Sequence, residues 1–127
     1  MNQRLTRFWL LWEFSPQRRK ELYDTVIRTP LIYQWGVSQL YRYRTQTGAR
    51  VDIVLENREG QIVGIEVKSS ETITKDDWNG IDILEEEMQS KFVRGIILYP
   101  GKEVVAFRKN RIAIPLSSLW ESDSSKD

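Results

Sequence analysis

The sequence predicts an α/β domain, a mixed β-sheet flanked by helices, and three observations predict it. Two runs rich in β-branched residues, 51–56 and 62–68, are separated by the polar stretch Asn57-Arg58-Glu59-Gly60-Gln61, the pattern of an antiparallel hairpin. Downstream, Trp78, Ile81, Leu84 and Met88 recur at helical spacing, so a helix over about 75–91 follows the hairpin. Arg94-Gly95-Ile96-Ile97-Leu98-Tyr99 then reads as a buried strand stopped by Pro100-Gly101. Strand, helix and strand across 62–98 fit a crossover that sets the Ile96 strand beside the Glu66 strand.

The remaining elements follow in order. Leu5, Phe8, Trp9 and Trp12 fall at i, i+3, i+4 and i+7, which predicts an amphipathic helix packed on the domain. The apolar run from Phe8 to Trp12 is too short for a signal-peptide core or a membrane span, so a cytoplasmic protein with no membrane partner is expected. Ser15-Pro16 starts a second helix over about 17–27, with serine as cap and proline at the first helical position, and Thr29-Pro30 stops it. Residues 30–36 form a loop or short turn carrying Trp35. Leu40-Tyr41-Arg42-Tyr43-Arg44 alternates aromatic and basic residues, a strand with one packed and one exposed face. Residues 45–49 turn the chain into the next strand. After a polar loop, Thr74 caps the helix with Asp77 at the third position of a capping box. Strands over 103–107 and 112–114 flank the Lys109-Asn110-Arg111 turn, and 116–120 close the domain. One domain over 1–120 results, with a helical N-terminal part over 1–39, a core over 40–120, and a disordered tail over 121–127.

Composition narrows the chemistry. The chain has 127 residues, 40% of them hydrophobic, and a net charge of +1, a balance that neither demands nor excludes a nucleic-acid partner. It has no cysteine, which removes disulfides, thiolate nucleophiles and zinc–thiolate sites. It also has no histidine, which removes serine–histidine catalysis, histidine metal sites and a histidine general base. Catalysis must rest on carboxylates, lysines, hydroxyls and a hard metal ion that prefers oxygen ligands.

Charges stand out in the hairpin. Asp52 lies in the first apolar run and Glu66-Val67-Lys68 ends the second. Side chains alternate along a strand, so Glu66 and Lys68 project together while Ile65 and Val67 point the other way. Charges on strands that bury at least one face need partners or a task. From spacing alone, Asp52 as the partner of Arg44 or Arg50, with Glu66 and Lys68 as a same-face ion pair, is the simpler account.

The surrounding sequence favours a site. Asp52, the hairpin and Glu66-Val67-Lys68 resemble the core of the PD-(D/E)XK nucleases. The stretch from Tyr41 through Thr47-Gly48 and Val51-Asp52 to Ile65-Glu66-Val67-Lys68-Ser69-Ser70 also resembles the C-terminal domain of a widespread family of prokaryotic AAA+-type ATPases, catalogued as a domain of unknown function (DUF4143). Gly95-Ile96-Ile97-Leu98-Tyr99 and Ile114-Pro115-Leu116-Ser117-Ser118-Leu119-Trp120 extend that resemblance over about 40–120. It implies a restriction-endonuclease-like mixed sheet flanked by helices, and a metal-dependent phosphodiesterase acting on or binding DNA. It assigns Asp52, Glu66 and the Val67 carbonyl to Mg²⁺ or Mn²⁺, and Lys68 to the attacking water. Arg42, Arg44 and Ser69 are the expected nucleic-acid contacts, although arginines on a strand and serines in a turn are also ordinary. Nuclease cores of this kind often add an acid from the first helix, for which Glu13 and Glu21 are the candidates. The chain has no G-x-x-x-x-G-K-S/T, so no ATP site is expected in it. It would then be the nuclease-like domain detached from its ATPase, or a catalytically inactive accessory module that supports an ATPase module or another protein partner.

Overall fold

The computed structural model describes residues 4–7 and 35–117. The chain orders as β1 (Arg4–Arg7), β2 (Val37–Arg44), β3 (Arg50–Asn57), β4 (Ile62–Val67), α1 (Asn79–Met88), β5 (Phe92–Tyr99), β6 (Val105–Arg108) and β7 (Arg111–Pro115). Single 3₁₀ turns, Lys75–Trp78 and Gln89–Lys91, extend α1 at its two ends. The strands form one seven-stranded mixed sheet in the order β1-β2-β3-β4-β5-β7-β6. The first four run antiparallel to their neighbours, β4, β5 and β7 run parallel, and β6 closes the far edge antiparallel to β7.

Local chemistry explains the hairpins. In the β3–β4 turn the Asn57 side-chain oxygen accepts the N–H groups of Glu59 (3.0 Å) and Gln61 (2.8 Å). Asparagine thereby supplies the hydrogen bonds that a tight turn lacks, and Gly60 takes the left-handed φ of +84° that the turn requires. Thr45 does similar work in the β2–β3 turn, where its hydroxyl accepts the Ala49 N–H at 3.0 Å. The crossover through α1 sets β5 beside β4, as the pattern of 62–98 predicts, and the register places Glu66 opposite Ile97.

Both faces of the sheet are buried. On one face Tyr43, Val51, Val54 and Ile97 pack with Ile81 and Leu84 of α1 and with Trp78. On the other, Ile53, Leu55, Val63, Ile65 and Leu98 cluster with Trp35, Val37 and Leu40. Near-continuous apolar runs such as Val51 to Leu55 suit a strand covered on both sides. Truncating Leu84, which is fully buried, to alanine would cost about 2–5 kcal/mol. The helix also sits unusually close to the strands beneath it. A Cβ on Gly80 would collide with the Arg50 backbone carbonyl, and one on Gly95 would strike Ile81.

Three sequence expectations change. The segment around Leu5 is not a helix: Arg4–Arg7 is an edge strand paired with β2, Leu5 opposite Tyr43. The i, i+3 spacing of Leu5 and Phe8 misled because a four-residue strand has too few side chains to reveal a period of two, and its pairing partner lies far along the chain. Strand β6 begins at Val105 rather than Glu103, and Leu116 and Ser117 form a turn after β7. The proposed helix over 17–27, the rest of the first helix and the tail lie outside the described residues. Among the described residues one α-helix flanks the sheet, and no helix is long and apolar enough to cross a membrane.

Candidate functional site

The site begins with an irregularity in β3. Tyr41 pairs with Val54 and Tyr43 with Val51, so one residue of β2, Arg42, faces two of β3, Asp52 and Ile53. Such a β-bulge re-aims the side chains at the extra residue, a device found often beside active sites. Here the extra residue keeps Val51 and Val54 in the same core and delivers Asp52 to the end of the β3–β4 ladder, whose last register pair is Ile53 with Ile65.

Beyond that pair the two strands clasp each other through their acids. The Asp52 N–H donates to Glu66 Oε1 at 3.0 Å, and the Val67 N–H donates to Asp52 Oδ2 at 2.9 Å. Each carboxylate stands in for the carbonyl that a continuing ladder would offer. Asp52 is buried, with 7% of its surface exposed. Burial, and then the neighbouring Asp52 carboxylate, raise the Glu66 pKa far above the usual carboxylate range, to about 9, while Arg50 pulls weakly the other way. Without a cation the adjoining acids therefore favour sharing a proton.

Lys68 follows directly. Its backbone N–H donates to the Leu98 carbonyl at 2.8 Å, which fixes its position against β5. Its ammonium turns to Asp77, with Nζ 2.8 Å from Oδ1, rather than forming the expected ion pair with Glu66. Asp77 uses its other oxygen to accept the Thr74 N–H (2.7 Å) and the Thr74 hydroxyl (3.3 Å), the capping contact that the sequence predicts. Partial burial opposes ionisation of Asp77, but the hydrogen bonds from Lys68 and Thr74 prevail and hold its pKa below the usual range.

The other predicted residues are spread around this centre. Arg42 is half-buried opposite the bulge, and Arg44 is exposed at the end of β2. Ser69 is exposed just past Lys68, whereas the Ser70 hydroxyl accepts the Thr72 N–H at 3.2 Å and turns the chain. Glu13 and Glu21 lie outside the described residues. Among the described residues no group of three or more histidine, cysteine or acidic side chains gathers in a way that could hold a metal. What remains is two adjoining carboxylates, with the Val67 main chain bonded to one of them through its N–H. That set fits a hard divalent cation in kind, since Mg²⁺ commonly takes only one or two protein carboxylates and fills its shell with water and phosphate oxygen.

Sequence reasoning missed two features. The role of Asp77 as the partner of Lys68 depends on a loop folding back, which no periodicity reports; only its place in the capping box marked it. The second is a buried arginine. Arg111 has no exposed side-chain surface and bonds Asp82 at 2.8 Å, Glu85, and the Asn110 side chain at 2.8 Å, with its guanidinium 5.1 Å from the centre of the Phe92 ring. An arginine in a turn between two short strands gives no sequence signal of such burial.

Residues 21–119 match the model of a family described as a domain of unknown function (DUF4143). No curated protein matches the chain.

Proposed function

The chain belongs to this DUF4143 family, and from that premise we propose that it is a PD-(D/E)XK-type, metal-dependent nuclease-like domain of a DNA-associated ATPase family. The carrying observation is the meeting of Asp52 and Glu66 across the β3–β4 hairpin, with Lys68 two residues on. The order of three antiparallel strands, a helix and a parallel strand supports a restriction-endonuclease-like reading of the fold.

In this reading Asp52, Glu66 and the Val67 carbonyl hold Mg²⁺ or Mn²⁺. The bound ion supplies positive charge to the phosphodiester and its attacking water. Holding the cation would require both carboxylates to be ionised, as metal-ligating carboxylates are. Lys68 orients the water by hydrogen bonding. Arg42, Arg44 and Ser69 contact the nucleic-acid backbone, fixing its orientation without reading sequence. Partners are DNA and, given the family resemblance, an ATPase module; these residues carry no phosphate loop of their own.

A second reading is a catalytically inactive accessory module. It is favoured by the oxygens that Asp52 and Glu66 already spend on strand N–H groups, and by the lack of a third acid among the described residues. One experiment separates the two. Supercoiled plasmid is incubated with the protein and Mg²⁺ or Mn²⁺, beside Asp52→Ala and Lys68→Ala. Cleavage by the parent that both substitutions abolish supports the enzyme. No cleavage together with no cation binding by calorimetry sinks it and leaves the accessory module.

A further inference from the structure

We propose that Asp77 is a positioning residue of this site, holding the Lys68 ammonium in one orientation at the end of β4. The inference rests on the nuclease-like reading for its catalytic consequence, but its geometric content stands on this chain alone.

A lysine side chain carries about 2 kcal/mol of rotamer entropy and does not by itself stay in one place. The backbone of Lys68 is fixed by its N–H bond to Leu98, so the uncertainty lies in the four-carbon stem. Asp77 removes it. The carboxylate is fixed on one side by the Thr74 N–H and hydroxyl, and can therefore offer Oδ1 to Lys68 in only one direction. The turn that carries Asp77 is anchored in turn by Trp78, which is 5% exposed. Just beyond it, Gly80 rests against the carbonyl of Arg50, two residues before Asp52. The helix start thus touches the strand carrying Asp52 and grips the lysine that follows Glu66.

The competing account is an ordinary ion pair. Both side chains are about a quarter exposed, at 23% and 24%, and such pairs contribute about 0–1 kcal/mol. Stability measurements would not tell the accounts apart, so the test must read the position of Lys68.

Asp77→Asn is the informative variant. Its side-chain oxygen can still cap Thr74, while its amide turns a donor toward the lysine, which is also a donor. Asp77→Glu restores the charge. The first readout is plasmid cleavage with Mn²⁺: Asp77→Asn should lower kcat about tenfold or more, with KM and cation affinity by calorimetry little changed, and Asp77→Glu should recover much of the loss. The second is the NMR signal of the Lys68 side-chain methylenes, assigned by comparison with Lys68→Ala. These should be ordered in the parent and in Asp77→Glu, and mobile in Asp77→Asn. Unchanged Lys68 signals in Asp77→Asn, or an unchanged kcat, overturn the proposal. If the parent neither cleaves nor binds cation, the nuclease reading fails, and the Lys68 signals alone decide whether Asp77 positions it.

Discussion

Two clusters of charge are built around the same helix and sheet, and they are opposites. At Arg111 a buried guanidinium meets Asp82, Glu85 and the Asn110 amide, so every donor has an acceptor and the charges oppose. At Asp52 and Glu66 two acids adjoin, and among the described residues their hydrogen bonds go to backbone N–H groups. The first arrangement is what a fold does when it needs a buried charge. The second crowds two acids together beside the core, so that one is pushed toward its protonated form. The contrast bears directly on the proposed site: among the described residues the first cluster is balanced from within, whereas the second pairs two acids with backbone N–H groups.

The comparison can be broken most sharply at Arg111. Replacing Asp82 and Glu85 together by alanine leaves the guanidinium buried with only its asparagine, and should cost about 3–5 kcal/mol in chemical denaturation. A loss under 1 kcal/mol would show that Arg111 reaches water, and the contrast would fail.

Glu66→Gln should act in the opposite direction. The native Glu66 pKa of about 9 stands above the ordinary value of 4.5, so the folded state keeps a proton that the unfolded chain has released. Stability from this group is complete below about pH 4.5 and is lost as pH rises toward 9. Glutamine mimics the protonated acid and escapes that loss. At pH 8 the variant should be more stable by on the order of 1 kcal/mol, several degrees in Tm, and the gap should close as pH falls to 4.5. A variant less stable than the parent at pH 8 would mean that the acid pair is internally balanced after all.

The smallest effect is expected at Arg108. It bonds Asp82 at 2.6 Å but is 58% exposed, so Arg108→Ala should change the midpoint of denaturation by less than about 1 kcal/mol. A larger loss would make it part of the buried network rather than its rim.

Much of this was legible in the sequence, for identifiable reasons. The β3–β4 hairpin announced itself through Asn57 and Gly60, the crossover through the spacing of Trp78, Ile81 and Leu84, and the helix start through Thr74 and Asp77, because each is a short-range signal. The meeting of Asp52 with Glu66 followed from the hairpin and from the family resemblance together. The bulge that turns Asp52, the strand at Arg4–Arg7, the clasp of each acid on the other strand's backbone and the grip of Asp77 on Lys68 were hidden. Each depends on residues brought together from separate elements, and periodicity reports only on a single element at a time.

The glycines where α1 meets the sheet, Gly80 in the helix and Gly95 in β5, have a further consequence. Gly80 meets a backbone carbonyl and Gly95 an isoleucine of the helix, so the seat of α1 is defined by positions that carry no chemistry. A methyl group at Gly80 cannot be accommodated without moving β3 or the helix. The seat of the helix and the acid pair are thus set by different residues. A variant that loses the acids but keeps Gly80 and Gly95 retains the close contacts that seat α1.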